Sequence, residues 1–154
     1  MVEGNLVLRD IQEKDVAGLL ALYPHWNRSL AEKRIRRTLF SVRERRVVAE
    51  LNGQIVGHVK ITYGSGVHSH LARVYSVIVS KNFRGKGIAS KLMEKAISEL
   101  LQGIEIVLLE TQHDNASAIH LFEKLGFEQY GVLERAWKKG TEYKNNVLYR
   151  KVLR

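Results

Sequence analysis

The segment Arg84-Gly-Lys-Gly-Ile-Ala-Ser90 places two glycines between cations at the entrance to an apolar-periodic stretch. A strand that turns through glycines into a helix leaves several backbone N–H groups unpaired and aimed outward, and the helix dipole reinforces them. Such a turn binds phosphate and other anions. Gly85 and Gly87 remove side chains that would block close approach, while Arg84 and Lys86 add positive charge. As a plain β-to-α turn the same glycines would serve geometry alone, and at this point both readings stand. Two other phosphate motifs fail. A P-loop needs Gly-Lys followed at once by Ser or Thr, but Gly87 follows Lys86; the fingerprint G-x-G-x-x-G needs glycine where Ser90 stands.

These residues need elements to hold them. Alternation at 5–9 suits a short strand, and Val16, Leu19, Leu20 and Tyr23 recur at helical spacing until Pro24 stops the run. Ser29 and Glu32 form a capping box for a helix over 29–42, with Ala31, Ile35, Leu39 and Val42 as its apolar stripe. Asn52-Gly53 joins β-rich runs 46–51 and 54–63 as a hairpin, because both residues accept the positive φ of a type I′ turn. A strand is predicted over 71–79. The helix after the glycine turn buries Ile88, Leu92, Ala96 and Leu100, flanked by Met93, Ile97 and Leu101. The apolar run 104–109 reads as a central strand ending at Glu110. Asp114 or Asn115 caps a short helix closed by Gly126, and strands over 127–135 and 143–153 finish the chain. The order is β-α-α-β-β-β-α-β-α-β-β, an α/β protein with helices on a mixed sheet.

The 154 residues suit one domain, 1–154, able to bury roughly 70% of the surface its unfolded chain exposes. With no cysteine, the chain has no disulfide, thiolate metal site or cysteine nucleophile, and no metal is expected. No apolar run approaches membrane length and the start is acidic, so a cytoplasmic protein is expected. Lys and Arg number 25 against 16 acidic residues, a formal charge of +9 that attracts anions: nucleic acid, acidic membrane or a phosphorylated ligand.

The stretch Val77-Ile-Val-Ser-Lys-Asn-Phe-Arg-Gly-Lys-Gly-Ile-Ala-Ser-Lys-Leu92 resembles the acyl-CoA-binding motif of the GNAT superfamily of N-acetyltransferases, [Q/R]-x-x-G-x-[G/A]. Asn115-Ala-Ser-Ala-Ile-His-Leu-Phe-Glu-Lys-Leu-Gly-Phe127 is similar to that family's N-x-x-A-x-x-L-Y-x-x-x-G-F. The two occur in the right order, joined by the apolar run that ends at Glu110. The resemblance implies the GNAT fold, a twisted mixed sheet whose fourth and fifth strands splay apart, and acetyl-CoA as cosubstrate for transfer to an amine acceptor.

It also implies roles. The amides of Gly85, Lys86, Gly87, Ile88, Ala89 and Ser90, introduced by Arg84, would hold the CoA pyrophosphate. The main chain of Val77, Ile78 and Val79 would pair with the pantetheine arm, and an amide near Val79 would donate to the thioester oxygen. Asn115 and Lys124 would reach the cofactor, with helix capping the alternative for the first and solvation for the second. Glu110 would be the general base that deprotonates the acceptor ammonium; a strand-end carboxylate facing water is its alternative. One departure is Phe122, where the family commonly has a tyrosine that protonates the leaving thiolate. Tyr130, with Tyr75 and Tyr143 behind it, is the candidate replacement, and solvent or unassisted departure are the others. Arg73 and Tyr75 stand where some relatives carry acidic residues, which shifts the base to Glu110.

The basic tract from Arg28 to Arg46 would face the acceptor side, with Trp26 shaping the pocket or packing in the core. Two alternatives stay open: a non-catalytic acyl-CoA-binding regulator, motivated by Phe122, and a basic nucleic-acid-binding module, which no recognised reading motif supports. The acceptor class spans small molecules, peptide N-termini and lysines. A homodimer is permitted.

Overall fold

The computed structural model describes residues 2–154. The elements are β1 (Leu6–Asp10), α1 (Val16–Leu22), α2 (Arg28–Leu39), β2 (Glu44–Leu51), β3 (Gln54–Tyr63), β4 (Leu71–Val79), α3 (Ile88–Ser98), β5 (Ile106–Gln112), α4 (Ala116–Lys124), β6 (Glu128–Lys139) and β7 (Glu142–Val152). This is the order read from the sequence. The chain forms two compact units, one of residues up to Tyr63 with Val74–Leu100, the other of Gly64–Arg73 with Leu101–Arg154.

In the first unit hydrogen-bonded neighbours run β1-β2-β3-β4. β1 is antiparallel to β2 and β2 to β3, with a register shift at Ala49/Glu50. Val47, Val48, Ala49, Val56, Val59 and Ile61 have no solvent exposure, because helices cover both faces of these strands. Leu19 and Leu22 of α1, with Ala31 and Ile35 of α2, pack with Val48 and Ile55 in one cluster. Gly18 makes this possible: a Cβ there would meet Ile55 Cγ1 at 2.5 Å. On α3, Ile88, Leu92, Met93 and Ala96 are buried. The Asn52-Gly53 hairpin has the predicted positive φ at both residues, 50° and 82°.

In the second unit neighbours run β4-β5-β7-β6. β4 pairs with β5 in parallel at Leu71↔Ile106, Ala72↔Val107 and Arg73↔Leu108. β7 is antiparallel to both β5 and β6. Val107, Leu109, Phe122, Phe127, Val147 and Tyr149 form the buried core, with the Phe122 ring 6.2 Å from Phe127 and 6.0 Å from Tyr149. Among the described residues, no helix is long and apolar enough to cross a membrane.

Several sequence expectations are corrected. α2 starts at Arg28 because Asn27, not Ser29, is its cap, accepting from Leu30 N at 2.8 Å. It ends at Leu39, which leaves Leu39 43% and Val42 85% exposed; the buried stripe is Ala31, Ile35 and Thr38. α3 stops at Ser98, so Leu100 and Leu101 lie beyond it. β5 runs past Glu110 to Gln112, since Thr111 and Gln112 find partners in Val147 and Asn146. β2 begins two residues early at Glu44, and β6 extends to Lys139.

Candidate active site

The glycine turn and the second half of β4 belong to the first unit. Ser76 takes a left-handed φ of 54°, a conformation few side chains adopt, and kinks β4 before Val77. Val79 is buried and Ile78 packs against the core cluster, so what Val77–Val79 can offer a ligand is chiefly main chain. Ser80 N donates to Val56 O (2.8 Å), and one turn of 3-10 helix, Lys81–Phe83, leads to Arg84.

Arg84 does not point wholly outward. Its Nε donates to Val79 O at 3.0 Å, which ties the turn to the end of β4 and leaves the guanidinium's other nitrogens for an anion. Gly85 and Gly87 have φ of 74° and 78°, and a Cβ on either would meet nothing within 4 Å. Gly87 is the N-cap of α3 and supplies no side-chain cap, so the first-turn amides lack the partner that Ser, Thr, Asp or Asn would give. Lys86 Nζ lies 5.6 Å from the Phe83 ring centroid, and the Ile88 side chain is core, leaving only its amide to the site. Unpaired amides, open space over two left-handed glycines and two adjacent cations fit a phosphorylated ligand.

The other predicted site residues lie in the second unit. Glu110 is inside β5, opposite Leu148 of β7, which in turn faces Gly131 of β6; its side chain is exposed. Tyr130 is the extra residue where the β6 register shifts between Gln129 and Gly131, and is 45% exposed. Two strand spacings, roughly 10 Å, separate β5 from β6 at that row. Asn115 caps α4: its Oδ1 accepts from Ala118 N (3.3 Å) and Ser117 Oγ (3.2 Å), and its Nδ2 donates to Thr111 Oγ1 (3.2 Å). Lys124 ends α4 and is exposed, and Gly126 has the expected positive φ, 82°. Tyr143 lies under the Arg135 guanidinium, 3.9 Å from its ring centroid.

The basic tract divides. Arg45 bridges Asp10 (2.7 Å) and Glu99 (2.5 Å), and Arg46 is 2% exposed against Glu44. Arg34 lies 4.3 Å over the Trp26 ring, and Arg37 reaches Glu44 at 3.6 Å. Lys33, Arg36 and Arg43 remain on the surface.

A buried polar chain in the first unit escaped the sequence reading. Thr38 Oγ1 donates to Glu44 Oε1 (2.6 Å) and accepts from Arg46 Nε (2.9 Å); Arg46 Nη1 meets His58 Nε2 at 3.2 Å, and His58 Nδ1 meets Tyr23 Oη at 2.8 Å. Burial alone would raise the Glu44 pKa, but the Thr38 hydroxyl and the charges of Arg46, Lys60 and Arg37 hold it below the ordinary range. The signal was Arg46 and His58 set among the valines and isoleucines of β2 and β3.

The profile of the acetyltransferase (GNAT) family matches residues 8–127. N-alpha-acetyltransferase 30 of Schizosaccharomyces pombe is 31% identical over 98 residues, 63% of each chain, so this chain spans less than two thirds of that relative's length. The crystal structure of an N-acetyltransferase from Staphylococcus aureus Mu50 superposes with a TM-score of 0.89 over 98% of this chain and all of its own, at 21% identity. A Salmonella typhimurium structure with its cofactor acetyl-CoA superposes at a TM-score of 0.82 over 98% of this chain and 95% of its own, also at 21% identity. With the family profile covering most of the sequence, including both the glycine turn and the helix capped by Asn115, the chain belongs to the acetyltransferase (GNAT) family.

Proposed function

We propose that this chain is an acetyl-CoA-dependent N-acetyltransferase that works by direct attack of an amine on the thioester. The observation that carries it is the turn 84–90: left-handed glycines with open space above them and an uncapped helix start, in a chain of this family. In this reading the amides from Gly85 to Ser90, with Arg84 and Lys86, hold the pyrophosphate, and the main chain of Val77–Val79 pairs with the pantetheine arm. Asn115 and Lys124 are assigned to the cofactor by the family resemblance. Glu110 takes a proton from the acceptor ammonium; its exposed carboxylate is reachable by a solute. The amine nitrogen then bonds to the acetyl carbonyl carbon, gives up its second proton to solvent as the C–S bond breaks, and CoA leaves as thiolate. Phe122 is 5% exposed among aromatic rings and carries no proton, so Tyr130 or solvent supplies one. A thiol pKa near 8.5 makes that step undemanding.

Residues 1–154 act in this reading as one catalytic domain in the cytoplasm, and the acceptor is a primary amine of a small molecule, a peptide N-terminus or a lysine. A non-catalytic acyl-CoA-binding regulator is the second reading, favoured by the buried Phe122. Two measurements test both. Acetyl-CoA should raise the melting temperature, and a screen of polyamines, peptides and aminoglycosides should find an acceptor that releases free CoA. No thermal shift sinks both readings; a shift without turnover across the screen leaves the regulator.

A further inference from the structure

The polar chain beneath β4 has a direction, fixed by donor chemistry. Arg46 carries only N–H donors, so His58 Nε2, 3.2 Å from Arg46 Nη1, must accept. His58 is fully buried, and burial together with the charges of Arg46 and Lys60 keeps the ring neutral, pulling its pKa down to about 3. A neutral imidazole that accepts at Nε2 carries its one proton on Nδ1. That N–H therefore donates to Tyr23 Oη at 2.8 Å. The phenol's own proton is then free for the remaining neighbour, the carbonyl of Ser76, at 3.4 Å. The Tyr23 ring cannot swing away: it stacks on Trp26 at 4.2 Å with 10° between planes, and Arg34 covers the Trp26 ring, 4.3 Å from its centroid.

Ser76 is the left-handed residue of β4, with φ 54°. In a planar trans peptide the C=O and the following N–H point in opposite directions. Drawing the Ser76 carbonyl toward Tyr23 thus aims the Val77 N–H away from it. We infer that Tyr23, held by the Arg46–His58 chain, is a positioning residue for the cofactor's acyl-pantetheine arm: it sets the Ser76–Val77 peptide so that Val77 presents its N–H to that arm. This rests on the acetyl-CoA reading. Tyr23 keeps its proton, burial pushing its pKa up to about 12, and its hydroxyl is committed to the Ser76 carbonyl.

The test is titration of acetyl-CoA, and of 3′,5′-ADP, which lacks the pantetheine arm, into wild type, Tyr23→Phe, Ser76→Gly and the double variant. Tyr23→Phe should weaken acetyl-CoA about fivefold, the scale of one modest hydrogen bond, and leave 3′,5′-ADP within about twofold. In the Ser76→Gly background the same change should cost under about twofold, because glycine keeps a positive φ without help. Unchanged acetyl-CoA affinity, a parallel loss for both ligands, or an equal loss in both backgrounds would overturn the inference. Should Tyr23→Phe not fold, wild type decides: the Val77 amide resonance should move with acetyl-CoA and stay with 3′,5′-ADP, and a resonance that ignores acetyl-CoA refutes the role. Wild type that binds no acetyl-CoA removes the acetyl-CoA reading itself, and this inference with it.

Discussion

Nη1 of Arg46 stands 3.2 Å from Nε2 of His58, with both side chains out of solvent. Burial first, and then the Arg46 charge, keep the imidazole neutral, its pKa about 3 against an ordinary 6.5. Between those values the unfolded chain binds a proton that the folded chain refuses. Stability is therefore full above about pH 6.5 and falls as pH drops, at a slope approaching ~1.4 kcal/mol per unit. Urea unfolding at about pH 7.5 and pH 5 should differ by about 2 kcal/mol, and His58→Gln should flatten the difference. Glu44 and Asp15, held below the ordinary carboxylate range, lose their contribution only at lower pH. An equal pH dependence in the variant would remove His58 from the account.

Arg9 grips Asp15 through two bonds of 2.8 Å and also reaches Glu50 at 2.6 Å, while Asp15 is only 4% exposed. Arg9→Met leaves a buried carboxylate without its cation, and should destabilise by about 3 kcal/mol in chemical denaturation. Arg28→Ala breaks an exposed i,i+4 pair with Glu32 and should cost under about 0.5 kcal/mol. Similar losses for the two would mean that burial does not separate them.

Gly87→Ala and Gly140→Ala both place a Cβ in open space at positive φ, 78° and 60°. Each should lose about 1 kcal/mol of stability from backbone strain. Only Gly87→Ala should also weaken acetyl-CoA, by more than about tenfold, because its Cβ enters the space assigned to pyrophosphate. Calorimetric titration of the pair checks this; equal affinities would move the phosphate site elsewhere.

Glu110→Gln tests the base. At neutral pH kcat/KM with an identified amine should fall by about 100-fold or more, with acetyl-CoA affinity unchanged. A rate at neutral pH equal to wild type would reassign the proton to water or another group.

Local rules served best where one residue type leaves few choices. Asn52-Gly53 admitted one turn, and β3 and β4 have the predicted limits because glycine-containing turns bound them on at least one side. The α2 cap went to Asn27 over the capping box at Ser29, since either side chain satisfies the first turn and only the packing of Ala31 and Ile35 selects the helix start. The extension of β5 past Glu110 depends on β7, whose partners Val147 and Asn146 are far along the chain, which spacing within one segment cannot reveal. The passage from strand through glycine turn to helix at 84–90 was legible, as turn geometry is local. The Tyr23–His58–Arg46 chain was not, because its members are brought together only by the β2–β3 register and the packing of α1.

Arg45 grips the far end of α3 twice, donating from Nη1 to the Glu99 carbonyl (3.1 Å) and from Nη2 to its carboxylate, with Asp10 on the guanidinium's other side. The helix that opens at Gly87 is thus fastened to β1 and β2 at its last turn while its first-turn amides stand free. An anion arriving there meets donors that are already fixed, so ordering the helix draws little from the free energy of binding. Preorganisation of the proposed phosphate site is in this sense a property of an arginine at the opposite end of the helix.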